Sequence, residues 1–110
     1  MKHIIILIGL VLGMHTLGQA QDPRLAEQYY RNGEYEKAAI IFEQLYGKNP
    51  SRDYYFNRYI ECLILVEDYK GTEKQLKKRI KKYPQKVQLY VKYGELYERQ
   101  FDEEKANAQY

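Results

Sequence analysis

The sequence predicts an all-α chain of antiparallel helix pairs, repeated about two and a half times. Three observations carry this. Apolar residues recur at i, i+3, i+4 and i+7, the spacing of one helix face, as in Ala38, Ile41, Phe42 and Leu45. The breakers are short, Asn32-Gly33, Pro50 and Pro84, and no glycine- or serine-rich linker divides the chain. The chain also matches itself at an offset of about 34 residues, a length typical of helical repeats. At that offset Pro84 answers Pro50, Thr72 answers Ala38 and Leu76 answers Phe42. A third copy starts in phase, with Ala106 and Tyr110 falling two such periods after Ala38 and Phe42.

The first twenty residues stand apart from this pattern. Lys2 and His3 form a basic start, Ile4 to Leu12 is apolar apart from Gly9, and Gly18-Gln19-Ala20 supplies small residues for a signal peptidase. Residues 1–20 therefore read as a secretory signal peptide cut between Ala20 and Gln21. An apolar core of about nine residues is far short of the roughly 20 needed to span a bilayer. With no cysteine near the cut, a lipoprotein anchor is disfavoured. The expected destination is the periplasm or the exterior, with residues 21–110 as the repeat domain. Cleavage removes His3 and His15, the only histidines, and leaves a single cysteine, Cys62, which cannot form an internal disulfide.

Each helix has a local reason. Asp22-Pro23 reads as an N-cap followed by proline at the first helical position, so a helix runs from about Pro23 to Arg31 with Leu25, Ala26 and Tyr29 on one stripe. Asn32-Gly33 closes it. The second helix spans about Tyr35 to Lys48, and Pro50 bars its continuation. Ser51 or Asp53 can cap the third, which continues to about Val66 with Phe56, Tyr59, Ile60 and Leu63 on its core face. Thr72, Leu76, Ile80 and Tyr83 make a narrow stripe on the fourth, about Tyr69 to Tyr83. The fifth, about Gln85 to Arg99, carries Leu89, Tyr90, Tyr93, Gly94 and Tyr97, and a sixth is expected from Asp102. Links of two or three residues force neighbouring helices antiparallel. The approximate repeats are 21–50, 51–84 and 85–110, the last incomplete.

A period of this length with these residue types resembles the tetratricopeptide repeat. The resemblance covers Asp22 to Tyr110. It is strongest in the first copy, through Ala26, Tyr29, Gly33, Tyr35, Ala38, Phe42 and Pro50. The second copy departs from it, with Glu67 in place of the turn glycine and Thr72 in place of the packing alanine. The third recovers Gly94, Tyr97 and Ala106 but has Phe101 at the turn. The resemblance implies a right-handed superhelical stack whose first helices line a concave groove that binds protein or peptide. Carried over residue by residue, the groove positions include Glu27, Tyr30 and Arg31, then Tyr54, Asn57, Glu61, Ile64 and Leu65, then Gln88, Val91, Glu95, Glu98 and Arg99. The repeat-packing positions are Ala26, Tyr29, Gly33, Ala38, Phe42, Pro50, Leu76, Pro84, Gly94, Tyr97 and Ala106. A lysine-asparagine clamp for C-terminal carboxylates is not matched, since Pro23 and Glu27 occupy those places.

Without histidine in the mature chain there is no Ser-His-Asp or Cys-His set and no histidine-bearing metal site. No enzyme activity and no cofactor are expected. The acids Glu34, Glu36, Glu67, Asp68 and Asp102 to Glu104 cluster at expected helix starts, where negative charge offsets exposed N–H groups. Cys62 reads as a small packing residue. One charged run stands out: Lys74, Lys77, Lys78, Lys81 and Lys82 all fall away from the Leu76–Ile80 stripe. This basic strip is either a solvated outer face or a docking surface for an anionic partner or membrane. A net charge of +3 and the lack of interleaved aromatics argue against nucleic acid.

These readings converge on an exported, non-catalytic scaffold that binds a protein or peptide in its groove. The competing reading is an N-terminal sensory or assembly region of a larger exported or membrane-bound signalling protein. Because the third copy is incomplete, further repeats are expected downstream, and residues 21–110 alone should self-associate through an exposed face.

Overall fold

The computed structural model describes residues 22–108, with side chains through Glu104, and among them it is helical with no strand. The expected secretory leader lies outside the described residues, as does the side chain of Ala106. The helices are α1 (Pro23–Arg31), α2 (Tyr35–Lys48), α3 (Asp53–Leu65), α4 (Tyr69–Lys82) and α5 (Val87–Ala108). None of them is long and apolar enough to cross a membrane.

The start of α1 follows its sequence: Asp22 accepts a hydrogen bond from the Arg24 amide at 2.9 Å, and Pro23 takes the first turn. Its end is a Schellman turn. The Glu34 amide donates to the Tyr29 carbonyl at 2.8 Å and the Gly33 amide to the Tyr30 carbonyl at 3.2 Å. Gly33 sits at φ +79°, the left-handed conformation this turn requires and glycine adopts without a Cβ penalty. The end of α3 repeats the same turn, with Asp68 donating to Leu63 at 2.9 Å and Glu67 to Ile64 at 3.0 Å. There Glu67 holds the left-handed position, at φ 63°.

This correspondence extends along the chain. Both ends of α4 lie one repeat interval after those of α2, and the first residue of α5 lies the same interval after that of α3. The residues that stop α2 and α4, Asn49 and Tyr83, have nearly identical backbones, φ −131° ψ 64° and φ −130° ψ 69°. Pro50 and Pro84 each follow as the second residue of a four-residue turn, closed by Arg52 to Asn49 at 3.0 Å and Lys86 to Tyr83 at 3.1 Å. The repeat interval is therefore a property of the backbone as well as of the residue pattern.

Two compact units divide within α3, between Cys62 and Leu63. In the first, α1 packs on α2. Its core holds Ala26, Ala38, Ile41, Phe42 and Leu45, joined by Phe56 and Ile60 of α3. The rings of Tyr46 and Phe56 meet edge-on at 5.3 Å. Burying side chains of this size contributes roughly 1.5–3 kcal/mol each. In the second unit α4 packs on α5, and Thr72, Leu76, Leu89 and Leu96 are buried. Asp68 caps α4 by accepting from the Gly71 amide at 3.0 Å.

One expectation about the helices is corrected. No break separates a fifth helix from a sixth, since α5 runs unbroken from Val87 through Asp102 to Ala108. The segment Arg99-Gln100-Phe101-Asp102 contains neither glycine nor proline, so nothing interrupts the hydrogen-bond ladder.

Candidate functional site

Helices α1 and α3 bring five polar and aromatic side chains of the first unit into one network. Arg58 is at its centre. Its Nε donates to Glu27 Oε1 at 2.9 Å and its Nη1 to Glu61 Oε2 at 3.0 Å. The Tyr30 hydroxyl donates to the same Glu61 oxygen at 3.0 Å, and the Tyr54 hydroxyl donates to Glu27. The guanidinium also lies over both rings, 4.2 Å from the Tyr30 centroid and 5.6 Å from that of Tyr54. Tyr35 of α2 braces Tyr30 edge-on at 5.6 Å.

Helical spacing explains the assembly. Tyr54, Arg58 and Glu61 follow one another at i, i+4 and i+7 on α3, while Glu27 and Tyr30 are i, i+3 neighbours on α1. Burial alone would raise the Glu27 carboxyl, but hydrogen bonds from Tyr54 and Arg58 hold it below the ordinary carboxylate range. Burial together with the carboxylate partners raises both tyrosine hydroxyls, Tyr30 through Glu61 and Tyr54 through Glu27. Arg58 is pushed up against the opposing effect of burial by its hydrogen bonds to Tyr54, Glu27 and Glu61. The cluster thus holds two carboxylates and one guanidinium in fixed positions, with net negative charge. Beneath it Cys62 is buried, and its thiol is pushed up to about 11 by desolvation and then by Glu61, which leaves it a poor nucleophile.

Of the expected groove residues, Tyr30, Tyr54 and Glu61 meet in this network, with Glu27. Arg31 and Asn57 are exposed at the end and on the flank of their helices, and Ile64 is half-buried. In the second unit Gln88, Val91, Glu95 and Glu98 lie along one exposed face of α5. Arg58, the residue that joins the network, was not anticipated. The available signal was its spacing, one turn after Tyr54 and three residues before Glu61.

The basic strip of α4 is exposed at Lys74, Lys77, Lys78, Lys81 and Lys82. Lys77 pairs with Glu73 at 3.0 Å, and that carboxylate also accepts the Tyr93 hydroxyl at 2.8 Å. Arg79, in the middle of the run, turns inward and is 2% exposed, its guanidinium 4.9 Å from the Tyr83 ring centre. Lys82 and Lys86 approach the same ring at 5.6 and 5.4 Å.

The repeat-packing residues divide by copy. Ala26, Ala38, Phe42 and Leu76 are fully buried, Tyr29 is half-buried, and Gly33 occupies its turn. Gly94 and Tyr97, expected at a packed seam, are exposed, and Leu89 and Leu96 on the opposite side of α5 are buried instead. The physical reason is the continuity of α5: without a break before Asp102, no helix among the described residues folds back over Gly94.

The second unit has shallow open depressions among its described residues. One of about 400 Å³ is lined by Lys82 to Lys86, and one of about 230 Å³ by Glu67, Tyr69, Gln100, Glu103 and Glu104. No grouping of His, Cys, Asp and Glu able to hold a metal ion occurs among the described residues. Comparison of the chain with protein-family models, curated proteins and solved structures finds no match.

Proposed function

We propose that the chain is an exported, non-catalytic scaffold of tetratricopeptide-repeat type that binds a protein or peptide segment. In this reading the α1/α3 face of the first unit is the recognition surface. The observation that carries it is the Arg58 network. A guanidinium bonded to both Glu27 and Glu61 holds Tyr30 and Tyr54 in place on neighbouring helices before any ligand arrives. Pre-ordered tyrosines offer a large apolar contact at low entropic cost, and they favour recognition for that reason. The Glu61 side chain is 35% exposed, and its negative charge suits a basic ligand residue. The fitting ligand is a segment with an apolar anchor and a basic flank. The exposed lysines of α4 serve here as a solvated outer face.

Selection from a randomised peptide library tests this directly. The chain should enrich peptides pairing an aliphatic or aromatic residue with lysine or arginine. Tyr54→Ala and Arg58→Met should each weaken the selected peptides by at least about tenfold, as expected of central interface residues. Enrichment unaffected by either substitution would place recognition elsewhere.

A further inference from the structure

Helix α5 has an exposed apolar stripe formed by Val87, Tyr90, Val91, Tyr97 and Phe101, each between 49% and 68% exposed. Gly94 lies on the same line, and a Cβ added there would meet nothing within 4 Å. Its φ is not in the left-handed region, so neither backbone conformation nor packing among the described residues requires glycine. Mid-helix glycine is nonetheless unfavourable relative to alanine. The corresponding face one repeat earlier, Phe56, Ile60 and Leu63 of α3, is buried.

The stripe is also symmetric about Gly94. Val87 and Phe101 stand seven residues to either side, Val91 and Tyr97 three, and Lys86 and Asp102 eight. We propose that this face binds a second copy of the chain, with the two α5 helices antiparallel and a two-fold axis passing at Gly94. An isologous interface requires a self-complementary patch, and this one meets the condition at three of its pairs, while Tyr90 falls opposite Glu98. Val87 faces Phe101 of the other copy, Val91 faces Tyr97, and Lys86 faces Asp102, so opposite charges close both ends. Gly94 meets Gly94, where the absence of side chains lets the backbones approach. Packed helix axes are about 8–10 Å apart and Cα atoms lie about 2.3 Å from each axis. Facing Cα atoms at the crossing are therefore separated by about 3.4–5.4 Å. Val91 and Glu98, expected in the groove, lie within this interface. The proposal is independent of the α1/α3 recognition surface.

Sedimentation equilibrium of the chain across roughly 1–300 μM, where a small interface associates, should show a monomer–dimer equilibrium. Gly94→Leu should weaken it by at least about tenfold while helicity by circular dichroism stays level, because the added side chain points into open space. Asp102→Lys should weaken the dimer, and adding Lys86→Glu in the same chain should restore it. The Gly94→Cys chain should form an intermolecular disulfide on mild oxidation, since the expected Cα separation overlaps the disulfide range. Gln88→Cys, displaced around the helix, should not. A monomer throughout that range overturns the proposal and leaves the face to another protein's helix. A dimer insensitive to Gly94→Leu, or one without charge-swap recovery, overturns it equally.

Discussion

Helices α2 and α4 have the same length, the same spacing from the preceding left-handed turn and nearly the same terminal backbone, yet they differ in composition. In α2 the buried line is Ala38, Phe42 and Leu45; in α4 it is Thr72, Leu76 and Arg79. Thr72 occupies the alanine's place because its hydroxyl donates to the Asp68 carbonyl at 2.8 Å, so the extra polar atom is satisfied within its own helix. Arg79 occupies the leucine's place by burying its stem and laying its guanidinium against Tyr83. The turns differ in the same manner, with Gly33 at one left-handed position and Glu67 at the other. The comparison shows that backbone spacing persists where each local demand, small, large or left-handed, is met by different chemistry.

The largest test removes what the two helices share. Phe42→Ala should destabilise the chain by about 3–5 kcal/mol and Leu76→Ala by about 2–5 kcal/mol. Chemical denaturation measures both, and a small loss at one site alone would show that the two seams are not equivalent. Next, Ala38→Leu should overpack the first seam at a cost of about 1–3 kcal/mol. At the turns the two copies should respond with opposite signs. Gly33→Ala forces a Cβ into the left-handed region and should cost about 1 kcal/mol, whereas Glu67→Gly removes that strain and should raise stability by up to about 1 kcal/mol.

A fourth test uses pH and isolates one carboxylate of the first unit through its arginine partner. Glu27 has its folded-state pKa depressed below the ordinary 4.5. Its contribution is therefore present above the unfolded value and lost as pH falls through the folded one. The melting temperature should decline in that acidic window, and Arg58→Met should flatten this part of the profile. An unchanged profile in the variant would remove Arg58 as the cause. The smallest effect belongs to the outer face of α4. Replacing Lys74, Lys78 and Lys81 with glutamine relieves like-charge i, i+4 repulsion of about 0.2–0.5 kcal/mol per pair, so the melting temperature should stay level or rise slightly.

The helix bounds of α1 and α2 and the repeat interval were determined by the sequence itself. Asp22-Pro23, Asn32-Gly33 and the two prolines act on the backbone within a few residues, and their effect needs no distant partner. Buried Ala38, Phe42 and Leu76 were legible for a similar reason, since helical spacing alone puts them on one side. Only the tertiary structure decided the rest. Glu67 carries no local sign that it will turn left-handed, and the hydrogen bonds closing the α3 turn impose that conformation on it. Lysine-rich surroundings hid the inward turn of Arg79, which depends on the position of the Tyr83 ring. Arg58 emerged as the centre of a site only when residues from α1 and α3 came within hydrogen-bond distance. Gly94 and Tyr97 ended on an exposed face because α5 does not break, and absence of a breaker is a weak signal until the helix is seen to continue. Local stereochemistry is written in neighbouring residues; side-chain partnership across helices depends on three-dimensional distance, and there the chain had to fold first.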